Sequence, residues 1–166
     1  MNNNNSRNSV LGIDPGTNAT GFGIVEMCGN GLKAKLFGVI RSRPNTSLAD
    51  RLLRIFSELT SIIQAERPSF CAIETVFNAK NPRSSLVLGH ARGVSMLAAR
   101  NQGLDLFEYS PLEVKKAVVG YGRAQKCQVQ DMVRVILGIR ERVPQDAADA
   151  LAVAICHLNS CNYSAF

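Results

Sequence analysis

Two short apolar runs with a turn between them open the chain: Val10 to Ile13, then Thr20 to Met27. The first is branched and apolar enough for a buried strand, and Pro15-Gly16 forbids its continuation. Lys33 to Ile40 reads as a third strand, joined to the second through Gly29-Asn30-Gly31 as a hairpin. After the break at Pro44, Ser47 caps a helix whose apolar stripe is Leu48, Leu52, Ile55, Phe56, Leu59, Ile62 and Ile63. Phe70-Cys71-Ala72-Ile73 is a continuous apolar run, the pattern of a strand covered on both faces. A second helix starts at Pro82 and ends near Asn101, and Leu104 to Tyr109 supplies a fifth strand. Three more helices follow: Pro111 to Val119, about Gln128 to Leu137, and one that begins at Asp146.

Hairpin-linked strands pair antiparallel, and helix crossovers make parallel neighbours. The order therefore predicts an α/β fold, a five-stranded mixed sheet with helices on both faces, the ribonuclease-H-like arrangement. The expected division is a disordered lead-in over 1–9, one nuclease-like domain over 10–160 and a tail over 161–166.

The first strand ends in Asp14 and the fourth in Glu74, so a buried run followed by an acid occurs twice. In such a sheet both acids project from neighbouring carboxyl ends, where open α/β sheets place their sites. Gly16, Gly21 and Gly23 clear side chains from around Asp14, leaving room for a backbone or a phosphate. Asp14 also reads as the first residue of an Asp-Pro-Gly turn. Asp146 and Asp149 lie three apart at a helix start, hence on one face, although Asp146 is equally an N-cap residue. If that helix packs over the same end of the sheet, four carboxylates converge. Oxygen-ligand cations relieve their repulsion, and Mg²⁺ suits a site where phosphate adds ligands.

Composition narrows the class. The 166 residues are 46% hydrophobic and 19% charged, ordinary values for a soluble globular domain. No apolar run is long enough for a membrane span, and the Asn-rich start has no secretory h-region. The five cysteines form no C-x-x-C pair, and Cys71 and Cys156 read as buried free thiols, which fits a cytoplasmic protein. Neither His90 nor His157 has zinc-ligand spacing, and His90 reads as a helix-packing residue. A net charge of +6 and a pI near 9.3 suit a polyanionic partner. The segment from Asn78 to Lys126 holds much of the excess, including Lys80, Lys115 and Lys126. Phe77, in a polar basic loop, is either a core anchor or a platform for an unpaired base. Lys115 and Lys126 are surface lysines by default and phosphate contacts in a nuclease. Gly120 to Lys126 lacks the glycine and hydroxyl residue that flank the lysine of a Walker motif.

Five stretches together resemble the RuvC family of bacterial Holliday junction resolvases. They are Val10 to Gly16, Ala72 to Asn81, Leu88 to Gly93, Val118 to Lys126 and Asp146 to Ala152. The resemblance implies that Asp14, Glu74, Asp146 and Asp149 are catalytic and hold Mg²⁺, two ions per site, with Mn²⁺ as a substitute. It implies that Phe77 stacks at the unpaired centre of a four-way junction, and that Lys80, Lys115 and Lys126 contact DNA. It further implies a homodimer that makes paired symmetric nicks with 5′-phosphate ends during recombination and repair, working with the RuvA–RuvB branch-migration complex. The helix around Gly89 to Gly93 is then the candidate dimer contact. Cys127, where serine is common, and the Asn-rich start depart from the family pattern without touching a proposed ligand. The alternative is a YqgF-type RNA-processing nuclease, which shares the Asp-Pro-Gly opening. An ATP-binding actin-like module would need two such domains and far more chain.

Overall fold

The computed structural model describes residues 9–75 and 82–163. Five strands form one sheet: β1 (Ser9–Asp14), β2 (Ala19–Cys28), β3 (Gly31–Arg41), β4 (Phe70–Glu74) and β5 (Asp105–Tyr109), in the order β3-β2-β1-β4-β5. β1 is central, antiparallel to β2 and parallel to β4, and β4 pairs parallel with β5. The ribonuclease-H-like expectation holds. The β2–β3 hairpin turns through Gly29-Asn30, and Gly29 takes the positive φ of 61° that a two-residue turn needs there.

Helices α1 (Leu48–Glu66) and α2 (Pro82–Asn101) cover one face. Ser47 caps α1 as expected, its Oγ accepting from Asp50 N. Leu48 does not join the apolar stripe, because it sits in the first turn, ahead of the part that reaches the sheet; it is 39% exposed. Ile55, Leu59 and Ile63 pack instead against Leu11, Ile13, Ile24 and Ile73.

The other face carries α3 (Pro111–Val119), α4 (Lys126–Leu137) and α5 (Gln145–Tyr163). Three boundaries differ from expectation. Ser9 is the first, buried residue of β1 rather than part of the lead-in, whose remaining residues 1–8 lie outside the described residues. Helix α4 starts at Lys126 because Gln125 and Gln128 form a capping box that the apolar pattern does not announce. Helix α5 runs to Tyr163, into the expected tail.

Side chains alternate along a strand. Val10, Gly12 and Asp14 therefore face α5, as do Ala72 and Glu74, while Leu11, Ile13, Cys71 and Ile73 face α1. Both strand-end acids thus emerge on the α5 side. Among the described residues no helix is long and apolar enough to cross a membrane. Cys71 and Cys156 are buried free thiols, as expected.

Candidate active site

Three glycines decide where α5 lies. A Cβ on Gly12 would fall 1.9 Å from Ala150 O, and one on Gly21 would fall 1.9 Å from Asp146 O. On Gly23 it would meet the Leu151 side chain at 2.6 Å. Backbone therefore rests on backbone at Gly12 and Gly21, and the room that the sequence suggested for a phosphate is filled by the helix at Gly21 and Gly23 and by Ala19 O at Gly16. Gly21 is the register partner of Asp14, so the first turn of α5 is set down directly across from that acid. Asp146 is the second residue of α5, inside its first turn rather than the cap ahead of it, and Asp149 is one turn further on. Both sit at the positive end of the helix dipole, which favours carboxylates there.

On the parallel side, Ile13 pairs with Ile73, and the next residue of each strand is the acid. Glu74 is held in place by its backbone surroundings. Thr75 N donates to Tyr109 O at 2.7 Å, and Arg92 of α2 donates to Glu74 O at 3.4 Å while ion-pairing with Glu108. On the other side of Asp14, the Thr20 hydroxyl donates to Gly16 O at 2.7 Å and closes the Asp-Pro-Gly turn.

The electrostatics register the convergence. Burial, then the charges of Asp149 and Glu74, push the Asp14 carboxyl up to about 7, and Asp146 adds to the rise. Burial also raises Glu74, with Asp149 as the largest neighbouring charge acting the same way. Asp149 is raised by burial and drawn back by Lys126. The Asp14 carboxyl thus feels the charges of Glu74, Asp146 and Asp149, and these acids leave a surplus of negative charge at this end of the sheet.

Lys126 is the principal local counter-charge. Its Nζ lies 2.6 Å from Asp149 Oδ2. It stands first in α4, where the helix dipole disfavours a cation, so the carboxylates hold it there against that local preference. Burial is the largest single influence and opposes its charge, but the bond to Asp149 together with the charges of Asp149, Asp14 and Asp146 outweighs it and raises the pKa. Lys115 joins Lys126, Glu74 and Asp149 in lining a cavity of about 190 Å³. Both lysines are therefore at the site. Gln130, one turn beyond Lys126, helps to draw the Asp149 carboxyl back down, and the sequence does not single it out, since a neutral residue in a helix interior gives no signal.

Other expectations fare differently. Phe77 and Lys80 lie outside the described residues. His90 is exposed, not packed, because Gly89, His90 and Gly93 form the outer stripe of α2 and Ala91, Ser95 and Ala98 the inner one. Among the described residues no three His, Cys, Asp or Glu side chains form a ready-made metal cage. As they stand the carboxylates therefore enclose no ion by themselves, and Mg²⁺ would need waters and substrate phosphate to complete its shell. The donor set of carboxylate oxygens alone, carrying surplus negative charge, fits such an ion.

Comparison with known proteins bears on this site. Residues 10–157 match the family described as crossover junction endodeoxyribonuclease RuvC. The RuvC of Syntrophotalea carbinolica is 54% identical over 148 residues, 89% of this chain and 92% of that protein. The RuvC of Pelotomaculum thermopropionicum is 52% identical over 149 residues, 89% and 91% of the two chains. Among solved structures, Thermus thermophilus RuvC in complex with a Holliday junction substrate superposes with a TM-score of 0.88 at 32% identity, covering 94% of this chain and 96% of that one. The yeast mitochondrial Holliday junction resolvase shares the fold, with a TM-score of 0.65 at 14% identity, over 90% of this chain and 77% of its own.

Proposed function

The chain belongs to the RuvC family of crossover junction endodeoxyribonucleases, and from that premise we propose that it resolves Holliday junctions by paired, symmetric hydrolytic nicks that leave 5′-phosphates. The observation that supports this lies at the end of the sheet, where burial and the electrostatic coupling of Asp14 to Asp149, Glu74 and Asp146 push Asp14 up to about 7. So much unneutralised carboxylate beside two lysines suits a site that waits for cation and phosphate together. The YqgF-type reading is not favoured, since the relatives are named as acting on crossover junctions.

In this reading the four carboxylates hold Mg²⁺, with Mn²⁺ as a substitute. Two such ions, once bound, supply Lewis acidity and an activated water for in-line attack on a phosphodiester. The chain's own residues do the rest. Asp14 and Glu74 supply donors from rigid strand ends, and Asp146 and Asp149 close the set from α5. Lys126 moves from Asp149 to a backbone phosphate when DNA arrives, and Lys115 contacts a second phosphate at the cavity wall. Arg92 is a positioning residue, holding the Glu74 backbone. Phe77 and Lys80, which follow Glu74 in the chain, are proposed to stack on an unpaired base and to contact DNA.

Two symmetric cuts need two sites, hence a homodimer. The outer stripe of α2 suits the contact. Leu86 and Leu97 are 64% and 59% exposed, and Gly89 and Gly93 have open space where a Cβ would stand. RuvA–RuvB is the proposed branch-migration partner, and recombination and repair in the cytoplasm the proposed setting.

The test is a synthetic four-way junction incubated with and without Mg²⁺, with nick positions mapped on all strands. Paired nicks at symmetric positions are expected. Asp14→Asn is expected to keep junction binding and to cut at least about 100-fold more slowly, the scale of losing a group that acts on the reacting atoms. Cutting by that variant at the wild-type rate would reject the role given to Asp14.

A further inference from the structure

A second basic pocket adjoins the carboxylate cluster. It has a volume of about 400 Å³ and is lined by Gln130, Asp131, Arg134, Arg140, Arg142, Val143 and Ala148. Three guanidinium groups face one carboxylate. Arg140 and Arg142 are exposed and form no ion pair among the described residues. Arg134 is half-buried, and its Nε is a fully covered donor with no partner. Its one hydrogen bond is a long one, from an Nη to Arg140 O at 3.4 Å. Arg140 and Arg142 thus offer two accessible, unpaired guanidinium forks to the pocket, with the charge of Arg134 behind them, an arrangement that suits an anion.

The pocket neighbours the active-site cavity along α4 and α5, sharing no lining residue with it. Gln130 lines it and helps to lower the pKa of the Asp149 carboxyl, and Ala148 lines it and precedes Asp149 in the chain. On α4, Lys126, Gln130 and Arg134 follow one another at four-residue spacing, so they run along one face of the helix. Arg134 lies about 12 Å along the axis from Lys126. At about 3.4 Å per nucleotide of one strand, that separation is about three to four nucleotides.

We propose that the pocket formed by Arg134, Arg140 and Arg142 is an auxiliary phosphate subsite that takes a backbone phosphate of the DNA arm about three to four nucleotides from the scissile bond. This rests on the junction-cleaving reading above. Arginine suits the task because its fork of donors engages two phosphate oxygens at once, and the contact is independent of base sequence. Its effect is to hold the register of the arm beyond the reach of Lys115 and Lys126.

The double variant Arg140→Gln/Arg142→Gln tests this without touching the half-buried Arg134. Binding to a labelled four-way junction is measured by anisotropy across a salt series without divalent cation. The double variant is expected to bind about five- to tenfold more weakly, with a salt slope reduced by about one to two. The charge-matched control Lys35→Gln/Arg54→Gln removes two cations that pair with Glu66 and Glu58. It is expected to stay within about twofold of wild type at every salt concentration, the size of a long-range charge effect. Equal affinities and slopes for the two double variants would overturn the subsite. So would a thermal shift by millimolar inorganic phosphate that the Arg140/Arg142 variant abolishes while its junction affinity is unchanged, since the pocket would then serve a free anion. Wild-type protein that neither binds nor nicks the junction would instead sink the reading on which the subsite rests.

Discussion

The two faces of the sheet are packed by different means. Toward α1 and α2, aliphatic side chains interdigitate: Leu11, Ile13, Ile24 and Ile73 against Ile55, Leu59 and Ile63. Toward α5, glycines of β1 and β2 let one backbone touch another. Side-chain packing has slack, because rotamers adjust when a neighbour changes. Backbone contact has almost none. The face that carries the acids is the one without slack, so position is controlled where position matters for chemistry.

Replacing Gly21 should break this contrast most severely. Gly21→Ala would drive a methyl into Asp146 O, and α5 must lift or tilt to admit it. Displacing a reacting group by about 1 Å costs about 100-fold in rate, so cleavage should fall at least that far, read as single-turnover nicking by the fraction that stays folded. Leu59→Ala on the opposite face should do the reverse. It should cost about 2–5 kcal/mol of stability in urea titration, while the folded protein nicks at the wild-type rate. Equal rates for the two variants would erase the distinction.

How far the sequence announces all this depends on the kind of signal. Asp14 and Glu74 are legible because an acid directly after a buried apolar run is conspicuous, and Asp146 and Asp149 because three-residue spacing on a helix means one face. The glycines are legible as glycines but not in their purpose. Composition cannot distinguish room left for a ligand from room filled by a helix. His90 goes astray for a related reason, since small residues on a helix tell that something approaches closely without telling on which side. Gln130 and Arg134 carry no local pattern, and their relation to Asp149 exists only once α4 and α5 are laid side by side.

A smaller effect comes from the acids themselves. Asp14 binds its proton more tightly folded than unfolded, so its ionised form costs stability above about pH 7, and the cost disappears as pH falls toward the ordinary carboxylate range. Without divalent cation at pH 8, Asp14→Asn should therefore be more stable than wild type, by up to about 4 kcal/mol. The gain should vanish near pH 4 in thermal or urea unfolding.

The smallest effect lies at the far end of α5. His157 is 1% exposed among Phe70, Phe107 and Tyr109, with its Nδ1 2.7 Å from the Tyr109 hydroxyl. Burial holds its pKa below the usual 6.5, so the folded state resists protonation and loses stability as pH falls through that value. The loss can reach no more than about 1.4 kcal/mol per pH unit, one proton's worth. Measured in the Asp14→Asn background, where the Asp14 titration is gone and those of Glu74 and Asp149 are common to both proteins, it should flatten when His157→Asn is added.

Helix α5 also decides where the chain leaves the fold. It is a single unbroken rod of 19 residues, about 28 Å long, with two acids at its head and the chain's last described residue at its foot. Chain leaving Tyr163 departs from the foot of that rod, whereas chain entering at Ser9 meets the start of β1, at the opposite end of that strand from Asp14.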